Sequence, residues 1–223
     1  MAEPYGAIFD MDGVLIDSFE AHYESWKRVA ETHGLPLSRA DFARTFGRTS
    51  REIIQTLWPE IGCDEARVQA IDDEKEAFFR EIIADRLPEM PGARELLASL
   101  RREGWKIAIG SSGPPENVRL VVRAYGAEFF DAVVTGMDVQ RGKPEPDVFL
   151  LASERTGVEP RRCVVLEDAP AGIEAAHRAG MVAVGVASTG RSREQLAAAE
   201  LVVESLAELT PALLRQLVLS RRQ

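Results

Sequence analysis

What most restricts the folds open to this chain is an alternation that repeats along most of its length. Short β-branched runs at 7–10, 106–109, 132–135, 163–167 and 182–186 are separated by amphipathic stretches at 92–103, 115–125, 146–156 and 170–179. Such runs read as buried parallel strands. Proline near the start of a stretch and Gly104, Gly126, Gly157 or Gly180 just beyond its end mark helix limits. Strands alternating with helices imply an α/β layer joined by right-handed crossovers, in which ligands sit at the carboxyl ends of the strands.

One region breaks the rhythm. From about Ser18 to Pro88 the pattern is helical throughout, so the sequence predicts an α/β core formed by 1–17 and 89–223 with an inserted all-α domain at 18–88. His22, Trp26, Val29, Ala30 and His33 share one helix face that Gly34 closes. Thr49 with Glu52 forms a capping-box pattern opening a second helix, which Pro59 is expected to end, and a third helix is expected over 64–86. The tail from 191 reads as a last short strand, 201–203, between two helices.

Four segments at predicted strand ends carry chemistry. The first strand runs into Asp10-Met11-Asp12-Gly13, where a period of two points both carboxylates the same way and Gly13 permits a sharp turn. Two acids there also suit a solvated turn or a helix cap. The second strand runs into Gly110-Ser111-Ser112-Gly113 ahead of Pro114-Pro115, where hydroxyls and free N–H groups before a helix form either a phosphate seat or an ordinary cap. Lys143, held between Gly142 and Pro144, is a turn lysine or, beside an acid cluster, a counter-charge. Glu167-Asp168 ends the fourth strand and also fits the preference of helix N-termini for acids. If the sheet gathers these ends, four carboxylates converge and resist joint ionisation unless a divalent cation joins them. Oxygen ligands without a nearby Cys or paired His point to Mg2+ rather than zinc.

Acidic residues outnumber basic ones by 36 to 27, and no basic run stands ready for nucleic acid or anionic lipid. No long apolar stretch precedes Asp10 and the run at 181–187 is too short for a bilayer, so neither a signal peptide nor a membrane span is expected. Cys63 and Cys163 suit a reducing compartment. A monomeric cytoplasmic enzyme acting on a small molecule is the expectation.

Taken in order, DMDGV at 10–14, Ser111 in GSSG, Lys143 in GKPEPD and Glu167-Asp168 in LEDAPAG resemble the haloacid dehalogenase superfamily, in its β-phosphoglucomutase and phosphatase branch. The resemblance covers nearly the whole chain and implies a Rossmann-like parallel sheet core with a helical cap. It implies that Asp10 attacks phosphorus to form an aspartyl phosphate while Asp12 protonates the leaving oxygen and then activates water. It assigns the metal to the Asp10 carboxylate, the Asp12 main-chain carbonyl and Asp168, with Glu167 as a ligand or just behind one. Ser111, Ser112, Gly113 and Lys143 would hold the phosphoryl oxygens.

In the cap, His22 and Trp26 match hinge contacts of such enzymes or else simply pack. Gly47, Arg48, Thr49, Ser50 and Arg51 match their substrate loop, although both arginines also suit a solvated surface. Asp17 and Ser18 fall where these proteins hinge, so cap closure would exclude water. An aspartate at Asp12 favours phosphoesters over the dehalogenase and phosphonatase branches, and a non-catalytic phosphoacceptor module would need neither Asp12 nor a cap. Mutases of this type carry a lysine just after the second-motif serines, where this chain has Pro114-Pro115. Hydrolysis of a sugar phosphate or similar metabolite is therefore expected, with a mutase open because Arg48 or Arg51 would supply the missing cation.

Overall fold

A computed structural model describes residues 3–188 and 190–221. The chain forms two compact units, one of Met1–Asp17 with Pro88–Gln223 and one of Ser18–Leu87. Pro88 thus falls with the larger unit, where its carbonyl accepts from Asp17 N at 2.7 Å.

The larger unit is built on a parallel six-stranded sheet in the order β3-β2-β1-β4-β5-β6. Its strands are β1 (Gly6–Phe9), β2 (Lys106–Gly110), β3 (Ala132–Val134), β4 (Cys163–Glu167), β5 (Val182–Val186) and β6 (Leu201–Val203). Every residue of β1, β4 and β5 is buried, as a sheet covered on both faces requires. Order reverses at β1, which has β2 on one side and β4 on the other, so the crevice for ligands lies at its carboxyl end.

The smaller unit holds α1 (Phe19–His33), α2 (Arg39–Thr45), α3 (Ser50–Leu57), α4 (Pro59–Gly62) and α5 (Glu65–Asp85). Trp26, Val29, Phe42, Ile54, Trp58 and Ile71 form its core. Gly34 ends α1 in the left-handed conformation, and the Thr49–Glu52 capping box opens α3. Pro59 does more than stop α3, since it starts the single turn of α4. The sequence reading has no counterpart for α2, whose start is fixed by a Ser38–Asp41 capping box and whose buried side is just Phe42 and Thr45.

Beyond the insertion come α6 (Ala93–Arg102), α7 (Pro115–Tyr125), α8 (Asp147–Thr156), α9 (Pro170–Arg178) and α10 (Pro211–Ser220). Leu96, Leu97 and Leu100 bury the inner face of α6, each worth about 1.5–3 kcal/mol. Phe149 of α8 lies under the sheet, where a side chain at Gly110 would meet its ring at 3.0 Å.

The helix expected between β5 and β6 is absent among the described residues, and 193–198 form successive turns instead. Tertiary contacts explain it: Leu196 is fully buried against Gly185, Arg193 Nη2 bonds Val202 O at 2.7 Å, and Glu200 N bonds Ala183 O at 3.0 Å. No helix of the described residues is long and apolar enough to cross a membrane.

Candidate active site

Strand register sets the geometry. Phe9 pairs with Ile109 on one side and Leu166 on the other, so the residues that follow emerge along one edge. Asp10 is locked there by its own N–H, which donates to Leu166 O at 3.0 Å, and Ser111 N donates to Val134 O at 3.0 Å. Glu167 ends β4 with Asp168 next, and Lys143 comes from the loop between β3 and α8.

That loop is pinned outside by Arg141, which grips Asp147 at 2.8 and 3.1 Å, and by Arg178 on Glu145 at 2.7 Å. Inside, the Lys143 ammonium donates to Asp10 Oδ1 at 2.7 Å and to Glu167 Oε2 at 2.8 Å, and lies 4.8 Å from the centre of the Phe149 ring. Oxygens of Asp10, Glu167 and Asp168, all buried, lie within 4.8 Å of one another.

Such crowding shifts the acids. Burial, then the Glu167 charge, with Asp12 adding and Lys143 opposing, raises Asp10 to about 7. Burial, then Glu167 and Asp10, hold Asp168 well above the ordinary aspartate range, against Arg191 and Lys143. Burial works against the Lys143 charge, but Asp10 and Glu167 outweigh it and keep the ammonium protonated beyond the usual lysine range.

Two glycines make the cluster fit. Gly13 adopts a φ of 75°, and a Cβ there would stand 2.4 Å from Asp168 Oδ2. Gly172, in the first turn of α9, faces Glu167, whose Cδ would lie 2.0 Å from a Cβ. Glu167 Oε1 also accepts from Ala169 N at 3.1 Å, so both of its oxygens are engaged. The seat after β2 is shaped likewise: Ser111 Oγ accepts from Gly113 N at 3.0 Å, and Gly136 N donates to Gly113 O at 3.1 Å. A hydroxyl that accepts there keeps its proton to donate.

Of the residues singled out in the sequence, the fold thus gathers Asp10, Lys143, Glu167 and Asp168, with Ser111 on the neighbouring strand end. Asp12 is half-buried and contributes no carboxylate to that acidic cluster. In the smaller unit, Trp26 is core, 5.8 Å from Trp58, and His22 stacks on Phe79 at 4.1 Å. Gly47 has a φ of 86°, Arg48 is exposed, Ser50 begins α3, and Arg51 is exposed and paired with Glu65.

Phe149 and Gly172 have no role in the sequence reading, yet they lie against Lys143 and Glu167. Gly172 did carry a signal, since glycine within a helix costs about 1 kcal/mol against alanine and so needs a reason to be there. Three buried carboxylates supply hard oxygen donors with one ammonium among them, a donor set that fits a small divalent cation.

Comparison with known proteins gives a consistent result. A family model described as a haloacid dehalogenase-like hydrolase matches residues 6–180. The β-phosphoglucomutase of Bacillus subtilis is 35% identical over 216 residues, spanning 94% of this chain and 93% of its own. A phosphorylated carbohydrates phosphatase of Thermotoga maritima is 35% identical over 178 residues, 78% of this chain and 81% of its own. The crystal structure of a β-phosphoglucomutase from Clostridium difficile superposes with a TM-score of 0.82 at 26% identity, covering 97% of this chain and 98% of that one.

Proposed function

Because the chain belongs to the haloacid dehalogenase-like hydrolases, we propose that it is a Mg2+-dependent phosphatase of a small sugar phosphate or related metabolite, working through an aspartyl phosphate. The observation that carries this is the Lys143 ammonium shared between Asp10 and Glu167 beside Asp168. A buried carboxylate in that setting has one free oxygen to present and a fixed cation beside it for phosphoryl oxygens.

Asp10 attacks phosphorus, and the ester P–O bond breaks as Asp12 gives its proton to the departing alkoxide. Asp12, now a carboxylate, takes a proton from water, whose oxygen attacks the phosphoaspartate, releasing phosphate and restoring Asp10. Ser111, Ser112 and the Gly113 N–H line the seat for the other phosphoryl oxygens, with Lys143 opposite. Asp10, Asp168 and the Asp12 main-chain carbonyl would hold the metal, and Glu167, occupied by Lys143 and Ala169, sits behind them. Bound Mg2+ supplies positive charge that lets the carboxylates stay ionised and offsets the phosphoryl charge. Arg48 and Arg51 of the smaller unit are proposed to recognise sugar hydroxyls or a second phosphate, with Arg51 exchanging its Glu65 partner.

The likeness to a β-phosphoglucomutase across nearly all of both chains favours a mutase as the second reading. Pro114, at the N-cap of α7, speaks for hydrolysis, since it and Pro115 stand just after the seat serines, where mutases of this type carry a lysine. Incubation with β-glucose 1-phosphate and a bisphosphate primer separates the two. Free phosphate supports the phosphatase and glucose 6-phosphate the mutase. A panel of sugar phosphates assayed with EDTA and then excess Mg2+ tests the reaction itself: turnover indifferent to EDTA, or none on any ester, overturns the proposal.

A further inference from the structure

The loop that leaves β5 has no part in the chemistry above, yet it reaches the turn that carries Asp12. Ser188 is two residues beyond β5, and its hydroxyl donates to Gly13 O at 2.5 Å. Because β4 lies between β5 and β1 in the sheet, this bond spans the end of β4, where Asp168 stands. The loop end is itself anchored: Ala187 N donates to Val203 O at 2.7 Å, and Ser188 O accepts from Arg191 N at 3.1 Å.

The turn it touches is built to a narrow tolerance. Gly13 N bonds Ile16 O at 2.8 Å, while Leu15 N and Ile16 N share the Met11 carbonyl at 2.9 and 3.1 Å. The left-handed Gly13 turns its peptide so that Asp168 packs where a Cβ would be. Rotation of the peptide after Gly13 would therefore move the Asp12 backbone, and a hydrogen bond from a separate strand resists it. We propose that Ser188 is a positioning residue, its hydroxyl holding the Asp12-Gly13 turn in the orientation from which Asp12 delivers its proton.

This rests on the phosphatase reading, with Asp12 protonating the leaving oxygen. kcat/KM reports the phosphorylation step alone, and a p-nitrophenolate leaving group departs without protonation whereas an alkoxide does not. Assayed at saturating Mg2+, so that a weaker hold of the Asp12 carbonyl on the metal does not enter, Ser188→Ala should lower kcat/KM about five- to tenfold, the worth of one hydrogen bond, for the hexose phosphate that the wild-type enzyme turns over fastest. For p-nitrophenyl phosphate kcat/KM should stay at the wild-type value, and Ser188→Thr, which keeps the hydroxyl, should restore the first rate. An equal fall on both esters means general loosening of the site and overturns the inference, as does no fall on either. A wild-type enzyme that releases phosphate from neither ester sinks the underlying reading, an outcome distinct from an active enzyme indifferent to Ser188.

Discussion

Lys143 Nζ lies 2.7 Å from Asp10 Oδ1, and the same ammonium holds Glu167, so one cation fixes the proposed nucleophile against the acid behind it. Removing it leaves the buried carboxylates without their counter-charge and the phosphoryl group without a donor. Lys143→Met should cut kcat/KM by roughly 10²- to 10³-fold, as loss of a fixed donor does elsewhere. Lys143→Arg keeps the charge but brings a longer, planar fork and should recover little of it. Steady-state kinetics on a sugar phosphate decide this, and near-wild-type turnover in Lys143→Met would remove the lysine from the site.

Gly172→Ala inverts the usual rule for helices. Alanine in place of glycine inside α9 should on propensity alone stabilise by up to about 1 kcal/mol. Here the new Cβ would fall 2.0 Å from Glu167 Cδ, so the carboxylate must leave Lys143 and Ala169. The expected result is a lower melting temperature together with a loss of turnover. Thermal denaturation that shows a gain would mean that Glu167 has room to move.

What the sequence revealed and what it hid follow from the range of the forces involved. β4 was legible because a strand covered on both faces must be apolar throughout, and its end was legible because Glu167-Asp168 interrupts that run. The motifs at Asp10 and Ser111 share this logic, each breaking an apolar strand with a polar turn, whereas Lys143 stands in the loop well beyond β3. α2 was not legible, since seven residues with two buried positions hold no periodic signal. The turns after β5 read as helix because Glu194, Gln195, Leu196 and three alanines favour one, and the burial of Leu196 against Gly185 overrides that preference. Contacts such as Ser188 to Gly13 join residues 175 positions apart, and no local pattern encodes them.

Protonation and metal binding should compete. In the metal-free protein Asp10 titrates at about 7 when folded, against 3.8 for its ordinary value, and Asp168 is raised as well. Between those values the folded state binds more protons than the unfolded one, so this contribution to stability is present below about pH 4 and lost as pH rises toward about 7. Mg2+ bound as proposed would take the ionised carboxylates and release their protons. The melting-temperature rise on adding saturating Mg2+ should therefore be larger at pH 8 than at pH 5, by differential scanning fluorimetry. Equal rises at both would contradict a site made of these acids.

In the proposed reaction Asp10 and Asp12 have different tasks, and their amide variants should differ accordingly. Asp10→Asn replaces the attacking oxygen with an amide and should abolish turnover on every ester, while the fold survives because Lys143 retains Glu167 as a partner. Asp12→Asn keeps the nucleophile and its cation but has no proton to give and no base to accept one. It should react with an aryl phosphate to a phosphoenzyme that persists, with overall turnover slowed by roughly 10²- to 10⁴-fold. Acid-quenched mass spectrometry reads the two variants directly, as an added phosphoryl mass on the peptide containing Asp10 for Asp12→Asn and none for Asp10→Asn. A phosphoryl mass on Asp10→Asn would move the nucleophile elsewhere in the chain.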